Sequence, residues 1–328
     1  MIIAFICIVL IFNTMETISI HRPKIVVIGS CNTDMVVKAN RLPVPGETIL
    51  GGTFYMNPGG KGANQAIAAA RLGAEVTFIS KIGYDLFGLQ ALEIYRSEKI
   101  NTEYIFTDQK SPSGVALISV DSFGENSIIV APGASRSLSI EDINKAEEKI
   151  KEADIILMQL EIPIDTVEYA ATIACKYGKK VILNPAPASS LSNSFLMNVH
   201  TILPNRIEAE MLSGIKVMNI ESAHRAAQAI GEKGIENVVI TLGKDGAYVK
   251  EKDEYTMIPA KEVETIDTTG AGDAFNGGLL AALAEDKDIW EAADFANALA
   301  ALSVQKIGTT PSMPVRSEID DFLNAHKK

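Results

Sequence analysis

The feature that most restricts this chain is a repeating alternation of short β-branched runs with longer helical patterns. Residues 24–29 (KIVVIG) open it, a run that ends on glycine as buried parallel strands often do. Further apolar runs lie at 76–80 (VTFIS), 154–158 (DIILM), 180–184 (KVILN), 201–205 (TILPN) and 237–241 (NVVIT). Helical patterns stand between them, such as 63–73 (ANQAIAAARLG), 164–178 (IDTVEYAATIACKYG) and 222–234 (SAHRAAQAIGEKG), several closing on glycine. Alternation of this kind predicts an α/β fold: a mostly parallel central sheet flanked by helices on both faces.

Two regions break the rhythm. Residues 48–56 (TILGGTFYM) and 114–130 (GVALISVDSFGENSIIV) read as short strands, the second a hairpin turning through DSFGEN. They predict a small antiparallel β sheet set apart, contributed by about 46–56 and 113–131, serving as a lid or a dimer contact. From Ala271 onward the pattern is largely helical, after a strand-like EVETI at 262–266. No internal repeat, low-complexity tract or Pro/Gly/Ser-rich linker divides the chain, so 21–328 is taken as one domain.

Charge narrows the partners. Formal net charge is −11 with no Lys/Arg cluster, which disfavours nucleic acid and anionic membrane surfaces. Bound phosphate would therefore be met by backbone amides, metal ions or a few placed cations. Cys7, Cys31 and Cys175 form no CxxC pair, and His21, His200, His224 and His326 lack metal-ligand spacing. A zinc site, a disulfide scaffold and a Ser-His-Asp triad are disfavoured, and a reduced cytoplasm is the expected compartment. The apolar stretch 2–12 (IIAFICIVLIF) is shorter than the roughly 20 residues that span a bilayer. It lacks a preceding basic residue and a cleavage site, so two readings stay open: an appended segment before a start at Met15, or a targeting or anchoring element. Either way residues 1–20 are expected to lie outside the fold.

Three stretches carry candidate chemistry. In DTTGAGD (267–273), Gly270, Ala271 and Gly272 would present unpaired N–H groups at the positive end of a helix. Asp273 there either serves as a base toward an attacking hydroxyl or simply complements the helix dipole. NPGGKGANQ (57–65) is a flexible turn and helix start, or a place where backbone approaches a polar ligand, with Lys61 and Asn64 adding donors. Asn32-Thr33-Asp34 follows the first strand, at the sheet end where α/β ligands bind; it would hold hydroxyls or cap the next helix. The first strand leads into GSCNTD and not into GxGxxG, which argues against a dehydrogenase.

Taken in order, NTD at 32–34, GGKGAN at 59–64, the acid in LMQLEIP, NRIE at 205–208, TLGKDG at 241–246, DTTGAGD at 267–273 and GTTPSMP at 308–314 resemble the ribokinase-like sugar kinases over about 24–325. That resemblance implies an ATP-dependent transfer of the γ-phosphoryl group to a sugar's primary hydroxyl, with D-ribose as acceptor. A kinase of the same family acting on 2-deoxyribose, another sugar or a nucleoside is the alternative. A non-catalytic sugar-binding protein is the more distant one, disfavoured because a binding module needs no base.

The resemblance also implies roles. Asp273 matches the catalytic base, and Gly270, Ala271 and Gly272 the anion hole. Sugar binding falls to Asn32, Thr33 and Asp34, to Gly60, Lys61, Gly62, Ala63 and Asn64, and to Glu161 and Asp273. ATP contacts fall to Asn205, Thr241, Leu242, Gly243, Lys244, Asp245, Gly246, Gly272, Asp273 and Asn297. Glu208 matches the acid that organises Mg2+ through water. Asp267, Thr269, Ser303, Lys306, Gly308 and Ser312 match loops enclosing K+, Lys306 through its carbonyl, since an ammonium only donates. A homodimer through the lid is implied as well. Read singly, Glu161 is a surface acid, TLGKDG a hairpin turn, Asn297 a helix polar residue and Cys31 a small buried thiol.

Overall fold

Alternate residues of the first strand, Lys24–Ile28 (β1), serve two different cores. Ile25 and Val27 pack with one helical layer, while Val26 and Ile28 pack with the other. A strand buried on both faces must be apolar throughout, which is why KIVVI reads as a continuous run. The computed structural model describes residues 22–123 and 125–326. The apolar stretch 2–12, Met15, Cys7 and His21 lie outside the described residues, as does Gly124 in the DSFGEN turn.

In chain order the strands are β1, Asn32–Lys38 (β2), Thr53–Gly59 (β3), Glu75–Gly83 (β4), Ile105–Asp108 (β5), Gly114–Val120 (β6), Asn126–Ala131 (β7), Ile155–Met158 (β8), Lys180–Leu183 (β9), Thr201–Ile202 (β10), Asn237–Thr241 (β11), Ala247–Glu251 (β12) and Glu254–Ile258 (β13). Among the described residues nine form the main sheet, in the order β13-β12-β11-β10-β9-β8-β1-β4-β5. Its strands run parallel from β11 to β5, and the β12–β13 hairpin adds an antiparallel edge. Helices Lys61–Arg71, Ala271–Ala284 and Ile289–Ser303 cover one face; Ile164–Lys176 and Ile220–Gly231 cover the other. Two of them meet closely: a Cβ on Gly277 would lie 2.5 Å from the Ala68 Cβ, so only glycine lets helix 271–284 approach helix 61–71.

The expected α/β architecture with its smaller sheet is present, and the differences from expectation have physical reasons. The smaller sheet runs β3-β2-β6-β7, with antiparallel β2–β3 and β6–β7 pairs joined by a parallel β2–β6 pair. Asn32-Thr33-Asp34 starts β2 and caps no helix; the lid strand was hidden because one of its faces is exposed and its first residues are polar. The 48–56 strand lies later, at Thr53–Gly59, and so takes in the start of the glycine-rich motif. EVETI forms no strand. Its end is tied instead to Val304 O by the Ile266 and Asp267 N–H groups, at 2.8 and 3.1 Å, so no sheet neighbour is needed. Among the described residues no helix is long and apolar enough to cross a membrane.

Candidate active site

Strand β1 is flanked by β8 and β4, the point where the sheet order reverses, and ligands of open α/β sheets bind outside the carboxyl ends at such a point. Ser30, Gln159, Asn184 and Asn205 follow β1, β8, β9 and β10 to this edge, and Thr241 ends β11. Helix 271–284 points its N-terminus at the same place. Gly270 there is left-handed, with φ of 79°, and having no side chain it leaves the helix end uncapped. Ala271 N–H turns back to Thr268 O at 3.2 Å, while Gly270 and Gly272 line the cleft.

Asp273 sits in the first turn with 8% of its surface exposed. Asn64 Nδ2 donates to its Oδ2 at 2.9 Å, and Gln65 Nε2 donates to its Oδ1 at 2.8 Å. Both donors come from helix 61–71, which explains why the close Gly277 contact matters. Lys61 lines the same cleft of about 140 Å³, with Asn184, Asn205, Glu208 and Asn276. The charge of Asp273 raises the Lys61 ammonium above its usual range against the pull of burial, with Glu161, Glu208 and Asp34 adding to it.

On one side of Asp273, Asn32 and Asp34 face inward from β2, and strand alternation turns Thr33 to the other face. The Asn32 Oδ1 atom is buried without a protein partner. Thr309 Oγ1 donates to Asp34 Oδ2 at 3.4 Å. Burial first, and the Asp273 and Glu161 carboxylates after it, push the Asp34 carboxyl up to about 6. Glu161 accepts from Lys61 N–H at 3.1 Å and from the Ser30 hydroxyl. Gly62 and Ala63 pack instead of reaching outward: the Ala63 methyl is in the apolar core, and its N–H goes to Ser30 O at 3.0 Å. A second cavity of about 330 Å³ lies between the inner lid face (Asp34, Tyr55, Ile118) and loops 265–269 and 307–309.

On the other side of Asp273, Asn205 and Glu208 form a reciprocal cap. Asn205 Oδ1 accepts from Ile207 and Glu208 N–H at 2.9 Å each, and Glu208 Oε2 accepts from Asn205 N–H at 2.8 Å. The Asn-x-x-Glu spacing is thus a capping box first, and it aims a buried acid at the cleft. Burial raises the Glu208 carboxyl, opposed by the Asn205 N–H and by Lys61. Thr241 bridges to Asn205, and Gly243–Asp245 forms a 3₁₀ turn closed by Leu242 N–H to Gly246 O at 2.8 Å. Lys244 and Asp245 are exposed, with Asp245 paired to Arg206 at 2.6 Å. The two donors of Asn297 are already engaged by Ile258 O and Pro259 O at 3.1 and 3.2 Å, so it braces the end of β13.

The remaining expected group divides. Asp267 joins two loops, accepting from Thr269 N–H and Oγ1 at 2.9 and 2.6 Å and from Gly308 N–H at 2.9 Å. Ser303 and Ser312 turn their hydroxyls to Ala300 O and Thr309 O. The Lys306 ammonium is held by Glu318 at 2.6 Å, which leaves its carbonyl as the donor to any cation. The Lys306 ammonium is therefore not aimed among these oxygens, which are hard donors of the kind a cation takes. Among the described residues no cluster of three or more His, Cys, Asp or Glu could hold a metal. Sequence reasoning missed Gln65, Asn184, Asn276, Thr309 and Thr310. Gln65 closes the quoted NPGGKGANQ, Thr309 and Thr310 lie in GTTPSMP, and Asn276 stands three residues after Asp273 and hence on the same helix face; Asn184, at the end of KVILN, carries no comparable signal.

A family model described as pfkB family carbohydrate kinase matches residues 22–316. A ribokinase of Haemophilus influenzae is 46% identical over 302 residues, covering 92% of this chain and 99% of that protein. A deoxyribokinase of Salmonella typhi is 37% identical over 304 residues, with the same coverage, 92% and 99%. Among solved structures, that of Arabidopsis thaliana ribokinase complexed with ribose and ATP matches with a TM-score of 0.84 at 32% identity, covering 92% of this chain and 99% of that one.

Proposed function

Because the chain belongs to the pfkB family of carbohydrate kinases, we propose that it transfers the γ-phosphoryl group of ATP to the primary 5-hydroxyl of D-ribose, giving ribose 5-phosphate and ADP. The observation that carries this reading is the meeting of Asp273, Lys61 and Glu208 in one cleft at the open N-terminus of helix 271–284. Asn32 and Asp34 hold the sugar from the lid, beside Asn64 and Glu161, so the acceptor hydroxyl faces Asp273. That carboxylate takes the proton as the hydroxyl attacks phosphorus and the bond to ADP breaks. The helix-end amides and Lys61 stabilise charge on the transferring group, where positioning and electrostatics carry most of the effect.

Magnesium would arrive with the nucleotide and be held by Glu208 through water, where it neutralises phosphate charge. Potassium would be held by carbonyls around Asp267, Thr269, Ser303, Lys306, Gly308 and Ser312, adding fixed charge beside the 267–270 loop. The names of the ribokinase relatives support ribose as acceptor. The deoxyribokinase relative keeps 2-deoxyribose as the second reading, and a nucleoside acceptor falls within the same chemistry. The deciding assay is ADP release from Mg-ATP with D-ribose, 2-deoxyribose and several nucleosides, each in potassium and in sodium. Ribose-dependent turnover that rises with potassium is expected. Turnover with another acceptor alone would discard ribose and keep the chemistry.

The lid also supports a homodimer. One row across its outer face reads Met56, Met35, Leu117 and Ile129, and Phe54 and Val37 stand beside it; Ile129 is 68% and Leu117 52% exposed. A contiguous apolar sheet face of this kind marks an interaction surface. Light scattering on the wild type at micromolar concentration is expected to give a dimer mass, and on Leu117→Asp a monomer mass. A monomeric wild type would remove the lid from that role.

A further inference from the structure

Both oxygens of Asp273 are held from helix 61–71, and one of the two donors has no expected contact with sugar or nucleotide. Gln65 Nε2 reaches Oδ1 at 2.8 Å, from a side chain that is wholly buried. An ionised carboxylate only accepts, so the Gln65 amide must turn its NH2 group toward Asp273. Its carbonyl oxygen then needs a donor, and Gln159 Nε2 supplies one at 2.6 Å. Gln65 Nε2 also reaches Asn184 Oδ1 at 3.0 Å, and Asn184 Nδ2 donates in turn to Leu203 O at 3.1 Å. Gln159 is fully buried as well, so neither glutamine can exchange its partner for bulk water. The acceptor-only acid therefore dictates the orientation of each amide behind it. Replacing Gln65 by an apolar residue of similar length would pack the same space without burying an amide, and burying an amide is unfavourable unless its bonds are made.

We propose that Gln65, oriented by Gln159, is a positioning residue for the base: it fixes the plane of the Asp273 carboxylate and favours its ionised form. The proposal rests on Asp273 being that base. Glu208 lines the same cleft and Asp34 the neighbouring one, and these two nearby negative charges oppose a further ionised acid, while the Lys61 ammonium in the cleft favours one. A hydrogen bond donated to the charged form acts in the same direction as Lys61. Asn64 cannot substitute for it, since its amide holds the other oxygen and accepts from Thr310 Oγ1 at 3.3 Å.

The test is Gln65→Met in the full-length enzyme, which keeps length and removes the donor. Loss of one hydrogen bond to a charged group predicts a fall in kcat of about 10- to 100-fold. KM for sugar and for ATP should stay near wild type, and the acid limb of the kcat profile should move to higher pH. In an Asp273→Asn background the same substitution should cause no further loss, because its route of action is gone. Multiplicative losses in the double variant, or an unmoved pH profile, would make Gln65 a packing residue and overturn the proposal. Near-wild-type turnover of Asp273→Asn alone would remove the base and this proposal together, a result distinct from a silent Gln65→Met beside an inactive Asp273→Asn. If Gln65→Met fails to fold, Gln159→Met carries the test: a smaller fall in kcat with the same upward shift supports the relay, and an unchanged profile refutes it.

Discussion

Asp273→Asn is expected to lower kcat by about 10²–10⁴-fold, the usual contribution of a placed general base, while KM for ATP changes little. The substitution keeps the shape of the side chain. What it removes is the charge and one acceptor, in a place where Asn64 and Gln65 both present donors at 2.9 and 2.8 Å. One new N–H then faces an N–H, so the variant also carries a buried unsatisfied donor that destabilises it by about 1–3 kcal/mol. Steady-state kinetics and a thermal melt measure the two effects separately. Turnover within about tenfold of wild type would take the base role away from Asp273.

The second large effect concerns Asp34, whose carboxyl is pushed up to about 6 by burial and by the acids around it. Between its ordinary value of 3.8 and about 6 the folded protein binds the proton that the unfolded chain has released. The unfolded state then binds fewer protons, so stability falls as pH rises through that window and levels off above it. At neutral pH the enzyme keeps a buried charge that opposes folding. Asp34→Asn removes the charge with little change of shape, and at pH 7.5 it should be more stable by roughly 1–3 kcal/mol. It should also reduce kcat/KM for the sugar by about 10²-fold or more, since a charged acceptor for hydroxyl groups is lost. In the wild type, kcat/KM for the sugar should fall as pH drops below about 6, because that ratio reports groups of the free enzyme. A variant less stable than wild type at pH 7.5, or one with an unchanged sugar KM, would contradict this account of Asp34.

These two acids differ in how visible they were. Asp273 stood out because glycines and an apolar helix bracket it within a few residues, so its setting is local. Asp34 was placed correctly at the carboxyl end of β1, but its element was not: a half-exposed lid strand with polar first residues carries little periodicity. Glu208 shows the reverse case: Asn-x-x-Glu entered the sequence reading only through the resemblance, and the structure makes it a capping box that also turns the acid to the cleft. EVETI misled because apolar–polar alternation states only which faces are buried, and a loop tied to Val304 can satisfy the same pattern.

The order of apolar runs, helix stops and glycine-rich turns was enough to determine the α/β class, the parallel core and the sheet edge where chemistry belongs. Each of those follows from interactions within a few residues or from the period of burial along one element. Tertiary structure alone decided which polar groups meet. Asn64 and Gln65 reach an acid more than 200 positions away, and Thr310 reaches Asn64 across a gap of 246. It also directed the Asn297 donors to Ile258 O and Pro259 O at the end of β13, and the Lys306 ammonium to Glu318. A buried amide or carboxylate takes whichever partners the packed helices bring within about 3 Å, and that choice is written in the packing of whole layers rather than in any local run of residues.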